Sequence, residues 1–395
     1  MIGRRDVLGM IGGTFAVAGL PGAVFAAIPG NRRLIVVLQR GAMDGLAAVA
    51  PISDPNYASL RGSLALKPPG GQDGALALTG DFVLHPSLAP LQPYYAKREL
   101  LVVHATGNGY QTRSHFDAQD LMESGLSQKR GVSDGWLNRA LALLQKGDQR
   151  LGLAVGGATP LILRGNVPVA SWEPAGFREA ESGFIEVVAR FYASDEVLGP
   201  AFKEGIKAQN FSDEVLGGDM KGGGGFGPQS FKPLCAAAGK LLAAPDGPRI
   251  AVLEMGGWDT HVGEGAEKGR LATNFAGFAA GLDALAAALG DAWRETAVVT
   301  VTEFGRTVRV NGNNGTDHGT ASLMFAMGGA VKGGRIAGDW PGLARLQDDR
   351  DLRVATDSRA VMKGLLRDHL GLDTQALATR VFPESAGIRP MEGLV

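Results

Sequence analysis

The residues of this chain that are best suited to metal or acid–base chemistry lie in a few short polar stretches. These stretches follow apolar segments and occupy residues 40–45, 112–117, 254–261 and 303–307, the last leading into a further polar group at 315–319. They carry carboxylates and imidazoles, which are ligands of divalent cations such as zinc or manganese. The first hypothesis is therefore a mixed oxygen and nitrogen site for such a cation.

Six side chains in these stretches are candidate metal ligands. They are Asp44, Asp259, His261, Glu303, Asp317 and His318. Each also has a structural interpretation, because aspartates in glycine-rich loops suit turns and Glu303 could pair with Arg306. The repeated placement of polar residues after apolar segments favours a site over these separate explanations.

Residues 112–117 contain two candidate nucleophiles. Ser114 is placed to cap the helix that follows it, with Asp117 at the third helical position. The same placement would put its hydroxyl at the positive end of the helix dipole, which attracts a phosphate or sulfate ester. Thr112 competes for this role, Arg113 would bind the ester oxygens, and His115 is a base, a ligand or a packing residue.

Apolar runs and helical patterns predict the elements that position these stretches. The predicted strands are 34–38, 100–104, 250–254, 297–302 and 323–327, and the helical patterns are 116–124, 136–144 and 274–289. Buried strands that alternate with helices favour a mostly parallel sheet covered on both faces. Ligands of such sheets bind beyond the carboxyl ends of the strands, where the polar stretches lie.

The first 27 residues have the pattern of a twin-arginine export signal. Arg4 and Arg5 precede an apolar stretch at 7–20 and small residues around Ala26. This pattern predicts export by the Tat machinery, cleavage near Ala26 and a periplasmic or secreted protein without a stable membrane span. The remaining residues, 28–395, are predicted to form one domain, in which about 150–245 could be an inserted lobe.

Charge and cysteine content exclude several classes of protein. The chain has 39 Lys and Arg against 40 Asp and Glu, a formal net charge of −1, so it offers no basic surface for nucleic acid. The single cysteine, Cys235, excludes an intramolecular disulfide framework and a CxxC metal site.

Several motifs that together cover most of the chain after residue 27 are specific to one family. They are LQRGAMDGL (38–46), FVLHPSLAPL (82–91), VVHATG (102–107), RSHFDAQDLMESG (113–125), GWLNRAL (135–141), GGWDTH (256–261), TEFGRT (302–307), GTDHG (315–319) and GGAVKGGRIAGDWPGL (328–343). In these motifs the chain resembles the domain of unknown function 1501 family, exported proteins placed with the alkaline phosphatase and sulfatase superfamily. The resemblance implies an α/β fold, an alkaline phosphatase-like three-layer α/β/α sandwich with a mostly parallel central sheet.

The same resemblance implies an exported metal-dependent hydrolase of phosphate or sulfate esters. Such a protein would use a Ser or Thr nucleophile and one or two ions of zinc, manganese or calcium on a small-molecule or polysaccharide ester. His318 resembles the superfamily's late histidine ligand, and Asp259 and His261 resemble its Asp-x-x-x-His pair with a shorter spacing. Phe304 follows Glu303 where the superfamily has a histidine.

Two functions therefore stay open at this point. In the first, a hydrolase, Arg113 and Arg306 would stabilise charge on the transferring group. In the second, motivated by the missing histidine, the chain is a non-catalytic exported binding or assembly protein on the same fold.

Overall fold

The computed structural model describes most of the chain after the first 30 residues. The described residues are 31–128, 131–144, 151–174, 182–192, 195, 198–216 and 227–395. The predicted twin-arginine signal at 1–27 lies outside them and stays a prediction.

Twelve strands and eleven α-helices are found in the described residues. The strands are β1 (Arg33–Gln39), β2 (Val49–Ala50), β3 (Leu76–Ala77), β4 (Val83–Leu84), β5 (Leu100–Gly107), β6 (Gly152–Val155), β7 (Ala170–Trp172), β8 (Ile250–Met255), β9 (Thr296–Val301), β10 (Ser322–Met327), β11 (Arg335–Ala337) and β12 (Thr356–Asp357). The helices are α1 (Gly45–Ala48), α2 (Tyr57–Arg61), α3 (Gln92–Ala96), α4 (His115–Ser124), α5 (Trp136–Leu144), α6 (Ser182–Tyr192), α7 (Leu198–Leu216), α8 (Pro228–Ala243), α9 (Arg270–Leu289), α10 (Ser358–Asp368) and α11 (Thr374–Ala376). All five strands and all three helices predicted from the sequence are present within a few residues of the expected bounds.

Nine strands form the central sheet, in the order β11-β5-β10-β9-β1-β8-β6-β7, with β12 also paired to β5. Among the described pairs of this sheet, those of β10 with β5 and β9 are antiparallel. The other pairs are parallel. The predicted mostly parallel sheet is thus confirmed, and β10 is the strand that departs from it.

The reversed direction of β10 explains how the polar stretches meet. Strands β1, β5, β8 and β9 all point the same way, so the residues that follow them leave the sheet at its carboxyl edge. Residues 315–319 precede β10 instead, and because β10 is antiparallel its amino end lies at that same edge. One edge of the sheet therefore receives every polar stretch of the sequence.

Both faces of the sheet are covered by helices. Ile35 and Val37 of β1 pack into a core that includes residues of α8 and α9. Leu34 and Val36 face the opposite way, into a core with residues of α5 and α10. All seven residues of β1 are buried, as expected for a central strand covered on both sides. The predicted three-layer α/β/α sandwich is confirmed by this arrangement.

Two smaller regions complete the described fold. Strands β2, β4 and β3 form a separate antiparallel sheet. Within the segment expected to be an inserted lobe, β6 and β7 extend the central sheet and α8 packs on α9. Helices α6 and α7 of that segment carry a small apolar cluster of their own, formed by Val188, Tyr192 and Phe202.

One helical segment, Arg270–Glu295, is long and apolar enough to cross a membrane by length and composition alone. It consists of α9 and the short 3-10 helix Gly290–Glu295. Phe275, Phe278 and other apolar residues of α9 are buried in the core beside α8. A core helix of an α/β protein passes the same test, which is the interpretation that this burial supports.

We expect Trp258→Ala to lower the free energy of unfolding by about 3–5 kcal/mol, the usual loss for a large buried aromatic residue. Trp258 is fully buried against Phe275 and Phe278, and its indole N–H donates to the carbonyl of Met255 at 2.9 Å. Trp293→Ala is the matched control, because Trp293 is only partly buried. Chemical denaturation measures both losses, and equal losses would contradict the anchoring role of Trp258.

Candidate metal centre

Three histidines from different parts of the chain meet at the carboxyl edge of the sheet. His115 begins α4, His261 follows β8 and His318 precedes β10. The Nε2 atom of His318 lies 2.9 Å from Nε2 of His115 and 2.9 Å from Nε2 of His261. Asp259 completes the group, with Oδ1 2.9 Å from Nε2 of His261 and 3.2 Å from Nε2 of His318. We call these four residues the His/Asp cluster.

The outer nitrogen of each imidazole has its own hydrogen-bond acceptor. Nδ1 of His115 donates to Glu303 Oε1 at 2.7 Å, and Nδ1 of His261 donates to Asp317 Oδ1 at 3.1 Å. Nδ1 of His318 donates to the carbonyl oxygen of Arg113 at 2.9 Å. A neutral imidazole that donates from Nδ1 keeps a lone pair on Nε2. When all three imidazoles are neutral, three lone pairs and a carboxylate therefore lie close together, and acceptors behind histidine ligands are a regular feature of metal sites. The ligand atoms of His115, Asp259 and His318 all lie within 4.8 Å of one another, close enough to share one ion.

Glu303, a predicted ligand, lies behind His115. Its Oε1 accepts from His115, from the amide of Gln119 (3.0 Å) and from the backbone N–H of Gly41 (2.9 Å), while Oε2 accepts from Thr302 Oγ1 (3.1 Å). Burial alone would raise the pKa of Glu303, but the hydrogen bonds from His115 and Gln119 outweigh it and lower that pKa. The ionised carboxylate thus orients His115, and Asp317 does the same for His261.

Arg306 orients the carboxylate of the cluster. Its buried guanidinium donates to Asp259 Oδ1 and, through Nε, to Thr316 Oγ1 at 3.0 Å. Burial would raise the pKa of Asp259, but hydrogen bonds from His115, His318 and Arg306 hold it well below its usual range. Arg306 was predicted to stabilise charge on the substrate, whereas in the structure its bonds position Asp259.

Asp44, also a predicted ligand, caps a helix elsewhere at the same edge. Its Oδ1 accepts from the backbone N–H groups of Leu46 (2.9 Å) and Ala47 (3.1 Å) at the start of α1. Its Oδ2 accepts from the buried guanidinium of Arg61 at 2.7 Å. Both oxygens are engaged away from the His/Asp cluster, because Oδ1 accepts from two of the backbone N–H groups that the first turn of α1 leaves without intrahelical partners, and Oδ2 accepts from Arg61.

Ser114 occupies the N-cap position of α4, but its side chain makes no cap hydrogen bond to any described residue. Asp117 instead accepts a hydrogen bond from the hydroxyl of Tyr110 at 3.2 Å. The half-buried hydroxyl of Ser114 is thus adjacent in sequence to a cluster histidine without being used as a cap. Thr112 lies two residues earlier and is exposed.

Arg113 is held at both its backbone and its side chain. Its guanidinium donates to the buried carboxylate of Asp351 (2.6 and 3.0 Å) and to Asp348 (2.7 Å), so these two aspartates occupy the group that was expected to bind an ester. Its carbonyl accepts from His318. The residue adopts a φ of 60°, uncommon for a side chain with a Cβ. The position of His318 therefore depends on Arg113.

Residues that the motifs left unassigned also support the cluster. Phe304 packs against the rings of His115 and His318, with centroid distances of 4.9 and 5.2 Å. Gln119 lies four residues after His115 on α4, a spacing that places both on one helix face and could have identified it. Asn311 donates to Asp317 Oδ1 (3.1 Å), and no pattern in the sequence pointed to it.

Two loops of the cluster pack backbone against backbone at Gly315. A Cβ added there would lie 2.4 Å from the carbonyl carbon and oxygen of His261. The N–H of Thr316 donates to the carbonyl of Thr260 at 3.2 Å across the same contact. A glycine at this position lets the loops that carry His261 and His318 approach each other.

We therefore expect Gly315→Ala to weaken metal binding by at least about tenfold, the range seen when residues that orient ligands are altered. Gly312→Ala is the matched control in the same loop, because a Cβ there would meet nothing within 4 Å. Competition with a chelator measures both affinities. If the two variants bind metal equally well, the close contact at Gly315 does not position the cluster.

The metal-free protein should lose stability as the pH rises toward 9. Hydrogen bonds with Asp259 and with Glu303 raise the pKa of His115 from an ordinary 6.5 to about 9. The folded state then binds this proton more tightly than the unfolded state, so the stabilisation is complete below about pH 6.5 and is lost as the pH rises through about 9.

Urea denaturation in a chelator from pH 6 to 9.5 tests this, with His115→Gln as the reference. The difference in free energy of unfolding between wild type and variant should shrink over that range. A difference that stays constant with pH would contradict the raised pKa.

Comparison with solved structures finds chains of similar layout at low identity. The C-terminal periplasmic domain of EcEptC from Escherichia coli is 11% identical, with 96% of this chain and 92% of that chain covered and a TM-score of 0.42. The phosphonate monoester hydrolase of Agrobacterium radiobacter is 11% identical, with 87% and 74% covered and a TM-score of 0.39. The lipoteichoic acid synthase LtaP of Listeria monocytogenes is 11% identical, with 96% and 81% covered and a TM-score of 0.38.

Among curated proteins, no sequence relative is found. A family model described as "Protein of unknown function (DUF1501)" matches residues 101–385, a range that contains His115, His261 and His318. This range is well over half of the chain, and it confirms the resemblance drawn from the motifs. The chain belongs to the DUF1501 family.

Proposed function

We propose that the protein is an exported metal-dependent hydrolase of phosphate or sulfate esters. The observation that carries this proposal is the approach of three imidazole Nε2 atoms to the carboxylate of Asp259, at 2.9 Å for His261, 3.2 Å for His318 and 3.5 Å for His115. Each imidazole also has its Nδ1 bound to an acceptor. When the three imidazoles are neutral, the Nε2 lone pairs of His115 and His261 each face that of His318 at 2.9 Å, where lone pairs repel unless a proton or a cation lies between them.

The donor set fits one ion, and fits zinc best. His115, His318 and Asp259 would hold it, because their ligand atoms all lie within 4.8 Å of one another. His261 lies beside them, with Nε2 2.9 Å from Asp259 Oδ1, and Glu303 and Asp317 lie behind His115 and His261. Imidazole nitrogen suits zinc, and one carboxylate is compatible with zinc or manganese. Calcium takes six to eight oxygen ligands, which this set does not offer. A bound cation would polarise the ester and neutralise charge that develops on the transferring group.

His115 supplies the imidazole that is missing at position 304. The superfamily places a histidine directly after the carboxylate at this strand end, and this chain has Phe304 there. In the structure, an imidazole from α4 contacts Glu303 and the other cluster residues instead. This favours the hydrolase over the non-catalytic binding protein, which was motivated by the missing histidine.

Ser114 is the nucleophile that this geometry supports best. It directly precedes His115 and occupies the N-cap position at the amino end of α4. The first backbone N–H groups of a helix are without intrahelical partners and attract anionic oxygens. The side chain of Ser114 also makes no hydrogen bond to a described residue that would hold it away from a substrate. Thr112 is exposed and lies farther from the cluster along the chain.

The compartment is proposed from the first 27 residues. Their twin-arginine pattern predicts transport of the folded protein by the Tat machinery. The substrate would then be a small-molecule or polysaccharide ester in the periplasm or outside the cell. Export in the folded state would allow the ion to be bound before transport.

Elemental analysis of the purified protein should find about one equivalent of zinc or manganese. Asp259→Ala and His318→Ala should each lose the metal and the hydrolysis of phosphate or sulfate esters. Ser114→Ala should keep the metal and lose more than about 10³-fold in kcat, as nucleophile variants do. Thr112→Ala is the control, with metal content and kcat near those of wild type.

Two results would contradict parts of this proposal. Protein that binds no metal even after reconstitution with zinc and manganese is not a metal-dependent hydrolase, and the binding or assembly function would replace the proposal. Full activity in Ser114→Ala with loss in Thr112→Ala would exchange the roles of the two hydroxyls.

A further inference from the structure

A cavity of about 430 Å³ opens at the carboxyl edge of the sheet. It lies where β5 and β11 end and where β10 and β12 begin. A volume of this size lies within the usual range for small-molecule sites. The polar side chains in its lining are Tyr110, Gln111, Thr320, Asp339, Gln347 and Arg353.

The cavity and the His/Asp cluster are built from the same loops. Gln111 lies four residues before His115, and Thr320 lies two residues after His318. Arg113 links the two sites directly, since its carbonyl accepts from His318 and its guanidinium bonds Asp351, in the loop that carries Gln347 and Arg353. The cavity is therefore bordered by loops that also carry His115 and His318.

Several polar groups of the lining are available to a ligand. The Gln111 amide, the Asp339 carboxylate and the Nη1 atom of Arg353 form no side-chain hydrogen bond within the described parts of the chain. Arg353 uses Nη2 to donate to the carbonyl of Pro341 at 3.2 Å. Thr320 Oγ1 donates to the Leu352 carbonyl at 2.7 Å and keeps its acceptor lone pairs.

The chemistry of the lining indicates a neutral, hydroxyl-rich ligand. Asp339 and Arg353 balance each other in charge, so the cavity lacks the positive excess that an anion requires. Planar amide, carboxylate and guanidinium groups can each pair with two neighbouring hydroxyls. Val354, Pro341 and the ring of Tyr110 add an apolar wall for the C–H face of a sugar ring.

We propose that this cavity binds a neutral sugar unit of the substrate, next to the ester that the His/Asp cluster would hydrolyse. The substrate class is then a phosphate or sulfate ester of a carbohydrate. The identity of the reacting ester rests on the proposed function, whereas sugar binding by the cavity does not. The sugar unit would be the part that does not react and would position the ester.

Binding is tested without catalysis, by calorimetry and saturation-transfer NMR on the purified protein, with and without added zinc. The probes are the neutral disaccharides cellobiose, maltose and N,N′-diacetylchitobiose, with inorganic phosphate as the anionic probe. We expect saturable one-to-one binding of at least one disaccharide. Asp339→Asn and Gln111→Ala should each weaken it by about tenfold, the loss for one good hydrogen bond.

The matched control is Asp291→Asn, the same change at a fully exposed aspartate in the helix that precedes β9, at the opposite edge of the sheet. It should leave disaccharide affinity unchanged. Absence of binding by every disaccharide overturns the proposal. Equal weakening by Asp291→Asn also overturns it, as does binding of inorganic phosphate that is lost in Asp339→Asn or Gln111→Ala.

Asp259→Ala separates this proposal from the hydrolase. Disaccharide binding that persists in this variant supports the sugar subsite even if the wild-type protein hydrolyses no ester. Ester hydrolysis by a wild-type protein that binds no disaccharide removes the subsite and leaves the hydrolase standing.

Discussion

A neutral imidazole carries one proton, so an acceptor at Nδ1 decides that Nε2 presents a lone pair. In this protein three such acceptors, the carboxylates of Glu303 and Asp317 and the carbonyl of Arg113, act on three imidazoles whose Nε2 atoms meet. The acceptors come from the end of β9, the loop before β10 and the loop after β5. The chemistry of the cluster therefore depends on the placement of these separate elements, and each acceptor is itself fixed by further hydrogen bonds.

One strand of reversed direction allows these separate elements to meet at the same edge of the sheet. Because β10 runs antiparallel between β5 and β9, the loop before it reaches the edge at which the parallel strands end. Gly315 then lets this loop touch the backbone at His261, and the buried Trp258 anchors the loop that carries Asp259 and His261. The geometry of the cluster at the edge of the sheet therefore depends on packing in the core.

The strands, the helices and the edge of the sheet at which the site lies could be predicted, because apolar runs and helical spacing are local signals. The direction of β10 could not, because an apolar run of six residues is the same in either direction. The roles of Asp44 and Glu303 could not be predicted from the sequence either, because a carboxylate after a strand can cap a helix, bind a metal or orient a histidine. Arg61 and His115, distant in the chain, decide between these roles.

Arg113 joins the two sites of the molecule through a single residue. Its carbonyl orients a cluster histidine, and its guanidinium is bonded to Asp351, within the loop that borders the cavity. If a ligand in the cavity shifts this residue, the affinity of the cluster for its ion changes as well. Thermodynamic linkage then requires the reverse effect to be equal in size, so the ion would change the affinity for the ligand by the same factor. A residue first considered as an ester-binding group would in that case couple two binding events.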